Sequence, residues 1–379
     1  MKRVLPFLMM LALSCTSAPI RIHVIDPGHF HAALVQKYPL PGVDSLVQVH
    51  APQGPELERY LAAIDGFNHR ADQPTGWKEV LLTGDPTETL PPARGREVVV
   101  LAGNNRNKAR YLHLAVSRGY HVLADKPLAL TAEDLDLLEE AYRLAAGKGL
   151  VIQELMTERT VAGNQAVRAW FSRHPVPTGT PQEPAIRMRS VHHFYKNVDG
   201  QALMRPWWYY DIRCQGEGIA DVTTHYIDMI FTQCFPDQTL TGDDVKVLGA
   251  AHWPTPVTRE QFCRSTGETD FPAALAPWVR DGVLEVMANG YIDLCIKGVY
   301  ARIEVIWENE GTDLFEAEYA GFEGSLPADP LSHEDHFRLV MEDFLGYVRG
   351  DKVQAERERI NTLTKYRVIQ RAVQLADGA

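Results

Sequence analysis

Three side chains of the right kind for acid-base work on a hydroxyl group stand out in this chain: Lys126, Asp221 and His225. Lys126 lies in H-V-L-A-D-K-P-L-A-L, His121 to Leu130, where an apolar strand ends in Asp125, Lys126 and Pro127. Thr131 and Asp134 then open a helix as a capping box. Open α/β sheets keep their ligands at the carboxyl ends of their strands, so an ammonium group there is placed to work. Asp221, His225 and Asp228 stand at i, i+4 and i+7 and share one face of a helix whose other positions are mostly apolar. An imidazole takes a hydroxyl proton near neutral pH. Asp221, one turn earlier, is expected to orient His225, and Lys126 to hold the substrate oxygen as it becomes a carbonyl.

Just upstream of that helix lie His192, His193, Tyr195 and Lys196, then Arg205-Pro206-Trp207-Trp208-Tyr209-Tyr210. Aromatic rings interleaved with hydrogen-bonding groups suit a sugar, whose C-H faces stack while its hydroxyls seek polar partners. We expect substrate contacts from His192, His193, Tyr195, Lys196, Arg205, Trp207 and Trp208. The same histidines allow a rival account, in which His192 or His193 joins Asp221 and His225 around a divalent metal. No compact H-x-x-x-H pair supports it within one element.

The Lys126 stretch resembles the E-K-P signature of the Gfo/Idh/MocA oxidoreductases, with Asp125 where the glutamate would stand. Gly216 to His225 is similar to that family's glycine-rich turn followed by an Asp and, four residues later, a His. The resemblance covers nearly the whole chain after residue 20 and is strongest to exported bacterial members with their own C-terminal domain. It implies an α/β protein: a Rossmann-like, doubly wound parallel sheet over 20–155, then an α+β C-terminal domain over 156–379 with an open, mostly antiparallel sheet and final helices that pack back on the body. It implies an oxidoreductase that moves hydride between tightly held NAD or NADP and a hydroxyl of a sugar or glycoside, with a ketosugar as one product. The implied cofactor contacts are Pro27, Gly28, His29, Phe30, Asn104, Asn105 and Lys126. A homodimer or homotetramer through the open sheet fits the family.

Two departures weigh against the dinucleotide. The turn Asp26-Pro27-Gly28-His29-Phe30-His31 keeps only the middle glycine of G-x-G-x-x-G, and the second strand ends in His50-Ala51-Pro52 with no acid for the ribose. They keep open a non-redox, metal-assisted lyase or hydrolase on a (keto)glycoside, and a lipid-anchored sugar-binding protein. Binding alone needs no acid-base pair, which argues against the last.

The chain has 379 residues, 45% hydrophobic and 23% charged, and a formal net charge of -11. That length supports two domains, and that charge argues against nucleic acid or an anionic membrane surface as partner. Lys2 and Arg3 precede an apolar run from Val4 to Leu13 that is shorter than the roughly 20 residues of a membrane span and suits a secretory signal. Ala12-Leu13-Ser14-Cys15 resembles a lipobox, so residues 1–15 read as a signal and the protein as exported, either periplasmic or a lipoprotein anchored to a membrane through Cys15. Cys214, Cys234, Cys263 and Cys295 show no C-x-x-C pair and read as scattered buried thiols.

Overall fold

The computed structural model describes residues 18–198 and 201–378, so Lys2, Arg3, Cys15 and the rest of the expected export signal lie outside the described residues. Six strands, β1 (Ile20–Ile25), β2 (Val43–Ala51), β3 (Lys78–Thr83), β4 (Glu97–Leu101), β5 (His121–Asp125) and β6 (Ile152–Leu155), form one parallel sheet in the order β3-β2-β1-β4-β5-β6. This is the expected Rossmann-like sheet. Its central strands are apolar on both faces, as E-V-V-V-L in β4 shows, because helices cover both sides of a parallel sheet. The strand order reverses between β1 and β4, and that switch point opens a cleft beyond their carboxyl ends.

Between the strands run α1 (His31–Leu34), α2 (Pro55–His69), α3 (Lys108–Ser117) and α4 (Ala132–Lys148). The Thr131–Asp134 capping box forms, and Gly149 ends α4 at a left-handed φ of 66°. The helix therefore runs through Gly147 and stops only at Gly149. Neither α2 nor α3 was anticipated: α2 opens on Pro55, and the apolar positions of α3 are interrupted by Arg110 and His113.

After α5 (Ala162–Phe171), the second sheet contains β7 (Ile186–Tyr195), β8 (Val245–Thr258), β9 (Val283–Ile296), β10 (Val299–Glu310) and β11 (Leu314–Tyr319). Their order is β8-β9-β10-β7-β11, antiparallel except for the β10–β7 pair. The open, mostly antiparallel sheet is thus present. β11 escapes a reading of the sequence because Leu314 and Phe315 are exposed neighbours on an edge strand, which blurs the period of two. Between β7 and β8, α6 (Thr223–Met229) follows a one-turn helix at Gly218–Asp221.

Two long helices finish the chain. In α7 (His333–Arg349), Phe337, Val340, Met341 and Phe344 pack into the core of the first sheet. In α8 (Glu356–Asp377), the Tyr366 hydroxyl accepts the Leu128 N–H at 2.7 Å, and the fully buried Lys365 binds Glu154 of β6 and Asp228 of α6. Cys214, Cys234, Cys263 and Cys295 are all unpaired. Among the described residues no helix is long and apolar enough to cross a membrane.

Candidate functional site

A cavity of about 470 Å³ lies between the two sheets, at the carboxyl end of β5. Lys126 enters it from that strand end, and its ammonium pairs with the Asp221 carboxylate. Burial works against the charge on Lys126, but Asp221 and Asp125 outweigh it and hold its pKa above the usual lysine value. Gln215 donates to the other Asp221 oxygen at 2.9 Å. Glycines allow this helix to sit so deep: Gly216 has a φ of 97°, and a Cβ on Gly218 would lie 1.7 Å from the Ala288 carbonyl oxygen of β9.

His225 lines the same cavity, but Asp221 does not orient it. Its Nδ1 lies 2.8 Å from a carboxylate oxygen of Glu158, which follows β6. Burial alone would raise the Glu158 pKa, and the neighbouring imidazole instead draws it down to about 2. Asp228 leaves the site altogether: Arg159 grips both its oxygens at 2.7 Å and Lys365 binds it at 3.1 Å. The shared helix face is therefore a pair, Asp221 and His225, and each carries its own counter-charge from another element.

The expected substrate residues divide. His192, Lys196 and Arg205 line the cavity. His192 stacks on Trp307 with ring centroids 5.0 Å apart, and Arg205 lies over Tyr209. His193 turns away to Asp313 and Glu308, Tyr195 lies under Arg264, and neither Trp207 nor Trp208 lines the cavity. The aromatic walls are Tyr209, Tyr226, Trp307 and Phe315 instead. For the three expected residues on β7, strand alternation explains the split, since His192 faces opposite to His193 and Tyr195. The residues of the rival metal set are drawn to separate partners, His192 and His193 to Asp313, Asp221 to Lys126 and His225 to Glu158, and they do not form one of the convergent ligand groups among the described residues.

The expected cofactor residues lie at the switch point. Pro27, Gly28, His29 and Phe30 line a smaller cleft with Glu56, Arg59 and Met204. The Asn104 side-chain oxygen accepts the Arg106 N–H, and the buried Asn105 donates to the Gln215 carbonyl and accepts from Lys108, so Asn105 is committed at both ends of its amide. Lys108, a buried lysine not singled out by its sequence context, donates to the Asp125 carbonyl at 2.9 Å, and burial lowers its pKa to about 8. Glu158, Asp313 and Gln215 were likewise missed: each gains its role from a partner distant in sequence.

Residues 171–327 match the family model described as "Putative oxidoreductase C terminal domain". A solved structure from Parabacteroides merdae, described as a "putative oxidoreductase", is 32% identical over 95% of this chain and 98% of its own, with a TM-score of 0.89. The chain belongs to the Gfo/Idh/MocA oxidoreductases. More distant members of this fold include a "putative myo-inositol dehydrogenase" from Sinorhizobium meliloti (14% identity, 95% and 98% coverage, TM-score 0.59). Another is a 3-ketoreductase from Actinomadura kijaniata in complex with NADP and TDP-benzene (14% identity, 94% and 98% coverage, TM-score 0.58). No curated protein matches the chain.

This oxidoreductase does not offer a dinucleotide the family's phosphate cradle. The Gly28 N–H donates to the Asp26 carbonyl at 2.8 Å and the His29 N–H to the Ala102 carbonyl at 3.1 Å, so two amides that would face a pyrophosphate are already spent. Trp208 covers Gly28, 3.3 Å from where its Cβ would be. Asp26, at a left-handed φ of 47°, is raised by burial and by Glu56 to a pKa of about 6. With α1 only four residues long, the local residues do not fit a pyrophosphate held in that way.

Proposed function

We propose that this oxidoreductase acts on a hydroxyl group of a sugar or glycoside, or on the corresponding carbonyl. The observation that carries the reading is one cavity lined by both Lys126, paired to Asp221, and His225, paired to Glu158, with Tyr209 and Trp307 as aromatic walls. With Nδ1 turned to Glu158, His225 has Nε2 left to take the hydroxyl proton, and the carboxylate steadies the imidazolium that results. Lys126, kept charged by Asp221, donates to the oxygen as negative charge gathers on it. The rings shield the reacting centre from water and take the sugar's C-H faces.

Relatives of this fold bind NAD or NADP, which supports a nicotinamide as the redox partner. The spent amides of the turn favour a second reading, elimination on a ketoglycoside by the same acid-base groups. One inventory separates the two. A Cys15→Ser form is denatured, and the released small molecules and elements are identified by mass spectrometry. Native protein is then titrated with NAD and NADP. Bound dinucleotide in either assay upholds the redox reading, and its absence in both overturns it in favour of elimination. Export with a lipid on Cys15 is a separate proposal, which palmitate labelling of the wild-type and Cys15→Ser chains decides.

A further inference from the structure

The turn that departs from the family pattern builds something else. His29 Nδ1 lies 3.5 Å and His31 Nδ1 3.0 Å from the same Asp125 oxygen, Oδ2, and the two imidazole centroids are 4.0 Å apart. One potential ligand atom from each residue falls within 4.8 Å of the others. A tetrahedral ion with bonds of about 2.0–2.1 Å holds its ligand atoms roughly 3.3 Å apart, so the two nitrogen–oxygen separations match its edges.

We propose that His29, His31 and Asp125 bind a divalent transition-metal ion, zinc in the first instance, with an open coordination position facing the substrate cavity. Two imidazoles and one carboxylate are a donor set that holds such ions while leaving room for a further ligand. The parts around them are fixed as a metal site requires. The Lys126 backbone N–H donates to Asp125 Oδ1 at 2.9 Å and leaves Oδ2 for the ion. The Lys126 ammonium makes its direct ion pair with Asp221 and not with Asp125. His31 packs on Phe337 of α7 at 4.5 Å, and the His29 N–H is tied to Ala102.

Both imidazoles line the cavity that Lys126, Glu158 and His225 also line. An ion at this point would draw electron density from a substrate oxygen as a Lewis acid, beside the ammonium of Lys126. The site thus puts a use to His31, which stands where the family turn has its third glycine. A second group, Glu217, His252 and Asp377, is built less tightly: its carboxylates approach different nitrogens of one ring, Nδ1 at 2.7 Å and Nε2 at 3.7 Å, and Asp377 is exposed.

The test uses tag-free protein stripped with a chelator and titrated with Zn²⁺ and Co²⁺, read by elemental analysis, by the visible absorption of bound Co²⁺ and by melting temperature. Wild type should take one equivalent, show the intense bands of low-coordinate Co²⁺ and melt at a higher temperature when loaded. His31→Ala and His29→Gln should each weaken binding by more than about 100-fold and lose the melting shift, while His252→Ala keeps both. His29→Gln serves if His31→Ala fails to fold. Failure of wild type to bind either ion at micromolar concentration, or binding unchanged in the His29 and His31 variants, overturns the site. The measurement involves no dinucleotide, so it stands or falls apart from the redox reading.

Discussion

At the scale of single residues, counter-charges decide what each group can do. Glu158 is held near pKa 2, well below the ordinary 4.5, by His225. A depressed carboxylate stabilises the fold above its unfolded pKa, so this pair contributes in full at pH 7 and fades as pH falls from about 4.5 toward 2. Glu158→Gln should lower kcat by about 100-fold, because His225 loses the carboxylate that orients it. Steady-state kinetics check this, and an unchanged kcat would remove Glu158 from the reaction. Asp26 runs the other way. Its folded pKa of about 6 lies above the ordinary 3.8, so the folded state binds the extra proton and loses stability as pH rises through that interval. Asp26→Asn should gain about 1–3 kcal/mol at pH 7 and almost nothing near pH 4, in denaturant melts at the two pH values.

At the scale of elements, the one-turn helix at Gly218–Asp221 is the part that cannot shift. Ala288 of β9 leaves no room for a Cβ on Gly218, and Ile219 lies 2.3 Å from where a Cβ on Gly290 would be. Gly218→Ala should push Asp221 and His225 off the sheet together. We expect stability to fall by about 2–4 kcal/mol and the remaining folded protein to lose most of its activity, measured as kcat per folded molecule. The motif is recognisable as letters, but its glycine is demanded by a strand that arrives some 70 residues later. The same holds for the edge strand β11, which follows Asp313 and so sets it against His192 and Lys196.

At the scale of the whole molecule, α8 ties the two sheets together. Lys365 is completely buried between Glu154, at the first sheet, and Asp228, in the second unit. Lys365→Met leaves two buried carboxylates short of a cation and should cost about 3–5 kcal/mol, with a clear drop in Tm. Arg159 still holds Asp228, so the loss should fall mainly on Glu154 and the junction of the two units. Hydrogen exchange that rises in α8 and β6 rather than across the chain would mark that junction.

The sequence by itself determined the fold class, the strand-end position of Lys126, the Asp221–His225 helix and the departure of the Asp26 to His31 turn from its family pattern. Each is a local property: an alternation, a cap, a spacing of four or a missing glycine. Only the tertiary structure decided the partners. Asp221 meets Lys126 and not His225, Glu158 comes to His225, and His29 and His31 meet Asp125 across 96 and 94 residues. A hydrogen bond depends on where two backbones pass, and a helical repeat specifies only its own face. That is why the acid-base groups were legible as letters while their pairing, the aromatic walls and the His29–His31–Asp125 cluster were not.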